Sequence, residues 1–117
     1  MSKYGIQLRG GLILEQEGLR VIVKPRDLAL YERLIPAPLR PSADPAVLVY
    51  VVSFKRVSPW PLVPYHEGGV LVTARLDERE GWYTVTMPID RRVACWGGRR
   101  HGFPKYMADE IAFAAGP

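Results

Sequence analysis

At 117 residues the chain allows one domain, 1–117, with a modest core, and is short for an enzyme that encloses a ligand. Hydrophobic residues make up 48% and charged residues 24%, which excludes disorder and fibrous repeats, and a net charge of +4 argues against a dedicated nucleic-acid binder. There is no apolar run long enough for a membrane helix, no apolar leader in MSKYGIQLRGG, and a single cysteine, Cys95, so the expectation is a cytoplasmic protein without disulfides, membrane contact or cysteine-bound zinc.

Residues 1–12 are polar and glycine-rich and read as an arm or short edge strand. Leu19–Val23 (LRVIV) is a β-branched run that predicts a strand. From Asp27, the sequence DLALYERLI places Leu28, Tyr31 and Leu34/Ile35 on one helical face, giving about two turns with Asp27 as N-cap. Pro36 and Pro38 end that helix. Ala46–Lys55 (AVLVYVVSFK) is the longest apolar run and predicts a strand buried on both faces. Val57–Pro64 holds three prolines and Trp60, and no regular element is expected there. Val70–Leu76 and Trp82–Met87 alternate as strands about a polar DEREG turn, which predicts a hairpin. Asp90–Trp96 predicts a short helix capped by Asp90 and closed by Gly97 and Gly98. Glu110–Ala114 opens another strand. Strands outnumber helices, so the fold class is mainly β with short helices (α+β).

The segment Gly97–Asp109 (GGRRHGFPKYMAD) sets Lys105 among apolar neighbours. Desolvation disfavours a charged amine, and a neutral amine can attack a carbonyl to form a Schiff base. Taken alone, the window reads rather as an exposed lysine after a loop proline. Its companions are Leu34–Leu39 (LIPAPL), Pro64–Val70 (PYHEGGV) and Gly81–Asp90 (GWYTVTMPID). In this order and spacing the four pieces resemble the acetoacetate decarboxylase family, over about the N-terminal half of a typical member.

The resemblance implies that Lys105 is the imine-forming nucleophile and Glu67 an acid/base or electrostatic partner. It also implies substrate contacts from Arg20, Tyr65, Phe103 and Tyr106, and no cofactor or metal, because the protonated imine is itself the electron sink. Three departures qualify it. Tyr106 stands where the family has a second lysine, Gly98 and Arg99 stand in place of its Arg-Glu pair, and Glu17 falls where it has a carboxylate-binding arginine, with Arg20 three residues away. Apart from the resemblance, Glu67 reads as a solvated loop residue, His66 and His101 as solvated histidines, and Arg91-Arg92 and Arg99-Arg100 as solvated faces or salt-bridge partners.

The family fold is an antiparallel β-barrel, which needs strands from both halves of a typical chain. This sequence is therefore expected to be a fragment, a half completed by a second chain or a second copy, or a reduced relative. The expected function is a Schiff-base lyase on a small keto acid, with β-keto acid decarboxylation first. A Schiff-base aldolase or dehydratase on the same fold, and a non-catalytic small-molecule binding or assembly module, remain as alternatives.

Overall fold

The computed structural model describes residues 2–8, 12–58 and 64–112. Among the described residues, seven strands form one open sheet: β1 (Ser2–Leu8), β2 (Leu12–Val23), β3 (Arg40–Pro41), β4 (Val47–Ser58), β5 (Tyr65–Leu76), β6 (Arg79–Ile89) and β7 (Lys105–Met107). Helix α1 (Leu28–Arg33) follows β2, and α2 (Arg92–Arg100) follows β6. The spatial order is β1-β2-β4-β5-β6-β7, with β3 on the far end of β5. Every pairing is antiparallel except β6 with β7, which is parallel. The chain is thus mainly β with short helices, and its sheet is an unclosed part of a barrel.

Local signals account for α1. The Asp27 side chain accepts from Leu30 N at 3.0 Å, satisfying an amide that the first helical turn leaves unpaired. Tyr31 anchors the helix: it is buried, and its hydroxyl donates to Thr73 O at 2.6 Å and accepts from Ser42 N at 3.0 Å. The β5–β6 hairpin turns on Asp77 and Glu78 alone, with Asp77 at φ 53°, so Arg79–Gly81 of the expected DEREG turn belong to β6.

Several expectations are corrected. The Ala46–Lys55 strand is not buried on both faces: Val52 is buried, but Val49, on the opposite face, is 44% exposed. Gly97 and Gly98 do not close the second helix but lie within it, and Asp90 does not cap it. Asp90 instead accepts from His66 N at 2.7 Å, and its other oxygen lies 2.8 Å from His66 Nδ1. Val57 and Ser58 extend β4, although no regular element was expected there, and the rest of that stretch, including Trp60, lies outside the described residues apart from Pro64. Of the strand expected at Glu110–Ala114, residues 110–112 are in no strand, and 113 and 114 lie outside the described residues.

The buried cluster Tyr65, Ile89, Ala94 and Cys95, with Phe54 against it, packs α2 onto β5 and β6. Phe54 and Tyr65 stack with ring centroids 4.7 Å apart.

Candidate active site

The register places the chemistry. Side chains alternate across a strand, so residues two apart share a face. The pairs Val52↔Glu67, Tyr50↔Gly69, Glu67↔Ile89 and Met87↔Lys105 put Tyr50, Glu67 and Lys105 on one face of four neighbouring strands. Arg20 joins them, since it lies opposite Tyr50 in the β2–β4 pairing. Glu67, expected in a loop, is a strand residue of β5.

Lys105 Nζ lies 2.7 Å from Glu67 Oε2, and the two side chains are only 12% and 9% exposed. Tyr50 donates its hydroxyl hydrogen bond to Glu67 Oε1 at 2.9 Å. Burial first, and then the neighbouring Glu67 charge, hold the Tyr50 phenol protonated well above the usual tyrosine range, so it acts only as a donor to the carboxylate. Glu67 Oε2 faces the Lys105 ammonium. One carboxylate oxygen is therefore held by the Tyr50 hydroxyl and the other by the ion pair with Lys105.

Two glycines make room for these groups. A Cβ at Gly69 would stand 2.2 Å from Tyr50 Cε1, so the tyrosine ring crosses β5 where a side chain would otherwise be. A Cβ at Gly98 would stand 2.3 Å from Lys105 Cδ, so α2 gives the lysine stem its channel. The turn from α2 to β7 is a Schellman closure: Phe103 N donates to Gly98 O at 3.1 Å and Gly102 N to Arg99 O at 3.0 Å. Gly102 carries the left-handed backbone that this closure requires, at φ 89°. Arg99 Nε then donates to Lys105 O at 2.6 Å, tying β7 back to the helix.

Of the residues singled out by sequence, Lys105 and Glu67 are in contact. Arg20 and Glu67 line one cavity of about 250 Å³, together with Tyr50, Leu48, Val52 and Phe54. The Phe103 ring lies 5.7 Å from Lys105 Nζ, within cation–π range. Tyr65 sits in the core rather than on the cavity wall, and burial pushes its phenol up to about 12, with the Glu67 charge adding to the effect. Tyr106 stands on the other side of β7 from Lys105, where its hydroxyl accepts from Thr86 Oγ1 at 3.2 Å. The position of the family's second lysine thus brings no cation to the amine. His66 pairs with Asp90, and His101 Nδ1 lies 2.9 Å from Gly97 O.

Sequence reading missed Tyr50, Gly69 and Gly98. Tyr50 did leave a signal, since a tyrosine inside an apolar strand needs a partner for its hydroxyl. The two glycines read as breakers, and only the tertiary arrangement shows what they accommodate.

Solved structures with this fold include an acetoacetate decarboxylase-like enzyme from Sphingomonas wittichii RW1, 20% identical over 79% of this chain and 39% of that one, with a TM-score of 0.64. Acetoacetate decarboxylase from Legionella pneumophila subsp. pneumophila str. Philadelphia 1 is 24% identical over 86% of this chain and 39% of that one, with a TM-score of 0.67. The enduracididine biosynthesis enzyme MppR, complexed with pyruvate, is 16% identical over 92% of this chain and 49% of that one, with a TM-score of 0.70. The chain therefore spans between 39% and 49% of the length of these structures. A search of curated protein sequences returns no match. The family model for acetoacetate decarboxylase (ADC) matches residues 21–115, a span that holds Tyr50, Glu67 and Lys105, and the chain belongs to that family.

Proposed function

We propose that the protein is a Schiff-base-forming lyase on a small keto acid, with decarboxylation of a β-keto acid as its reaction. The observation that carries this reading is the sequestered Lys105–Glu67 contact at 2.7 Å, with Tyr50 holding the far oxygen of the carboxylate. Glu67 Oε2 takes a proton from the Lys105 ammonium, and the neutral Nζ adds to the keto carbon. The carboxyl returns that proton to the carbinolamine oxygen, which leaves as water and gives the protonated imine. The carbon–carbon bond to the substrate carboxylate then breaks, carbon dioxide departs, and the electron pair enters the enamine. Protonation at carbon and hydrolysis release the ketone and restore the amine. Glu67 also sets a negative charge beside the departing carboxylate, which raises the energy of the bound acid more than that of the neutral product. Phe103, with its ring 5.7 Å from Lys105 Nζ, and Arg20, which shares a cavity wall with Glu67, are the substrate contacts in this reading, and no cofactor is called for.

A second reading, aldol cleavage or dehydration through the same imine, is favoured by the outward position of Tyr106. It is also favoured by the fold shared with MppR, solved with pyruvate and with the condensation product of pyruvate and imidazole 4-carboxaldehyde. In either reading the open sheet is covered by the rest of a longer chain, a second chain or a second copy, because Leu19, Val21, Ile22 and Val49 are between 44% and 59% exposed.

Incubation with acetoacetate or pyruvate followed by borohydride is expected to give a reduced adduct on Lys105, seen by mass spectrometry and absent in Lys105→Ala. Carbon dioxide release against aldol products then separates the two imine reactions. A folded sample that yields no adduct with either acid across several pH values makes the lysine a structural relic and favours the binding-module reading.

A further inference from the structure

We infer that Tyr50 is a positioning residue of the reaction, acting through Glu67: its hydroxyl keeps that carboxylate ionised and turned toward Lys105 throughout turnover. The inference rests on Lys105 as the imine-forming amine and Glu67 as its partner. Glu67 is only 7% exposed, so protein donors must replace water around its charge. Among the described residues two donors meet its oxygens, the Tyr50 hydroxyl at Oε1, 2.9 Å away, and the Lys105 ammonium at Oε2, 2.7 Å away. They behave differently once substrate arrives. The lysine nitrogen passes from ammonium to neutral amine, protonated imine and neutral enamine, so its hold on Oε2 comes and goes. Tyr50 forms no bond in the reaction, and burial beside the Glu67 charge keeps its phenol protonated. It is therefore the donor that stays constant. Without it, the carboxylate would turn about its soft terminal torsion whenever the nitrogen is neutral. A hydrogen bond to the charged form also favours that form. The Glu67 carboxyl thus returns its proton readily to the carbinolamine oxygen, and its negative charge is restored before the carbon–carbon bond breaks. The fold is shaped to admit this contact. Tyr50 lies opposite Gly69, two residues beyond Glu67, and a Cβ at Gly69 would stand 2.2 Å from Cε1 and 2.8 Å from the hydroxyl oxygen. Gly69 is not on left-handed backbone, so its missing side chain serves the phenol and not a turn.

The test removes the hydroxyl and keeps the ring. With acetoacetate as substrate, Tyr50→Phe is expected to lower kcat for carbon dioxide release by at least about tenfold, the scale of a hydrogen bond to a charged group, with KM little changed. The acid limb of the pH profile is expected to move up by about one unit, because the charged carboxylate has lost a donor. A merely structural tyrosine would leave that limb in place. Gly69→Ala keeps the hydroxyl but displaces the ring, so it is expected to reproduce both effects and to carry the comparison if Tyr50→Phe does not fold. In a Glu67→Gln background, Tyr50→Phe is expected to add nothing to the slowing of borohydride trapping on Lys105. An unmoved pH profile in both variants, or a trapping loss that persists in full without Glu67, overturns the inference; an adduct on Lys105 in the same samples leaves the Schiff-base reading standing. NMR of isotope-labelled glutamate carboxyls reads the contact independently of the amine: the signal lost in Glu67→Gln is expected to respond to Tyr50→Phe, and no response overturns the hold. No adduct in the parent protein, with that response present, overturns the Schiff-base reading and with it the role in turnover.

Discussion

At Gly98 a methyl group would stand 2.3 Å from Lys105 Cδ and 2.5 Å from Cε, so the lysine stem fills space that any other residue would claim. Gly98→Ala sets two effects against each other. Alanine favours an interior helical position by about 1 kcal/mol, while the displaced amine loses its alignment with Glu67. The expected outcome is unchanged helicity with imine trapping slowed by at least about tenfold; unaltered trapping would mean that the stem shifts without consequence. The buried tyrosines make a prediction about pH. Burial and then the Glu67 charge push the Tyr65 phenol up to about 12, and Tyr50 is raised further by the same two causes. An unfolded tyrosine titrates near 10, so between about pH 10 and 12 the unfolded chain has released a proton that the folded chain retains. The contribution of Tyr65 to stability is therefore complete below about pH 10 and is lost as pH rises toward 12. Tyr65→Phe is expected to flatten the alkaline fall in urea midpoint; an identical fall in both proteins would remove Tyr65 as its source.

The helices show which features of the fold are written locally. Helix α1 is legible because its start is a contact three residues long, from Asp27 to Leu30 N, and its end is marked by Pro36 and Pro38. Helix α2 misleads because two adjacent glycines ordinarily mark a stop, whereas here one of them yields its volume to a residue seven positions further on. The actual stop is Gly102, which delivers the chain to β7. Gly102→Ala places a side chain on left-handed backbone, at a cost of about 1–2 kcal/mol. It is expected to lower the melting temperature, and to slow trapping by more than that loss of stability explains, because β7 carries the nucleophile. Equal trapping at a lower melting temperature would show that β7 is set by its pairing with β6 and not by the turn. Glu67 reads as a loop residue for a similar reason: Gly68 and Gly69 look like breakers, yet both are in β5 and Gly69 stands under the Tyr50 ring.

In the molecule as a whole, strand content and hairpin connectivity are legible because they follow from alternation and turn residues close in sequence. The order β1-β2-β4-β5-β6-β7 and the parallel edge at β7 are not, since nothing local to Lys105–Met107 specifies β6 as its neighbour. The site was legible in the same uneven way. Lys105 and Glu67 stand out through ordered motifs, whereas their contact, the Tyr50 clamp and the place of Arg20 on the cavity wall depend on register across five strands. That register also separates two kinds of inheritance. Tyr50, Glu67 and Lys105 are carried by β4, β5 and β7, while Arg20 lines the neighbouring cavity from β2. Substitutions accumulating on β2 can reshape that cavity and leave the amine and its carboxylate as they were. A lineage built on this sheet is free to remodel one wall without disturbing the other.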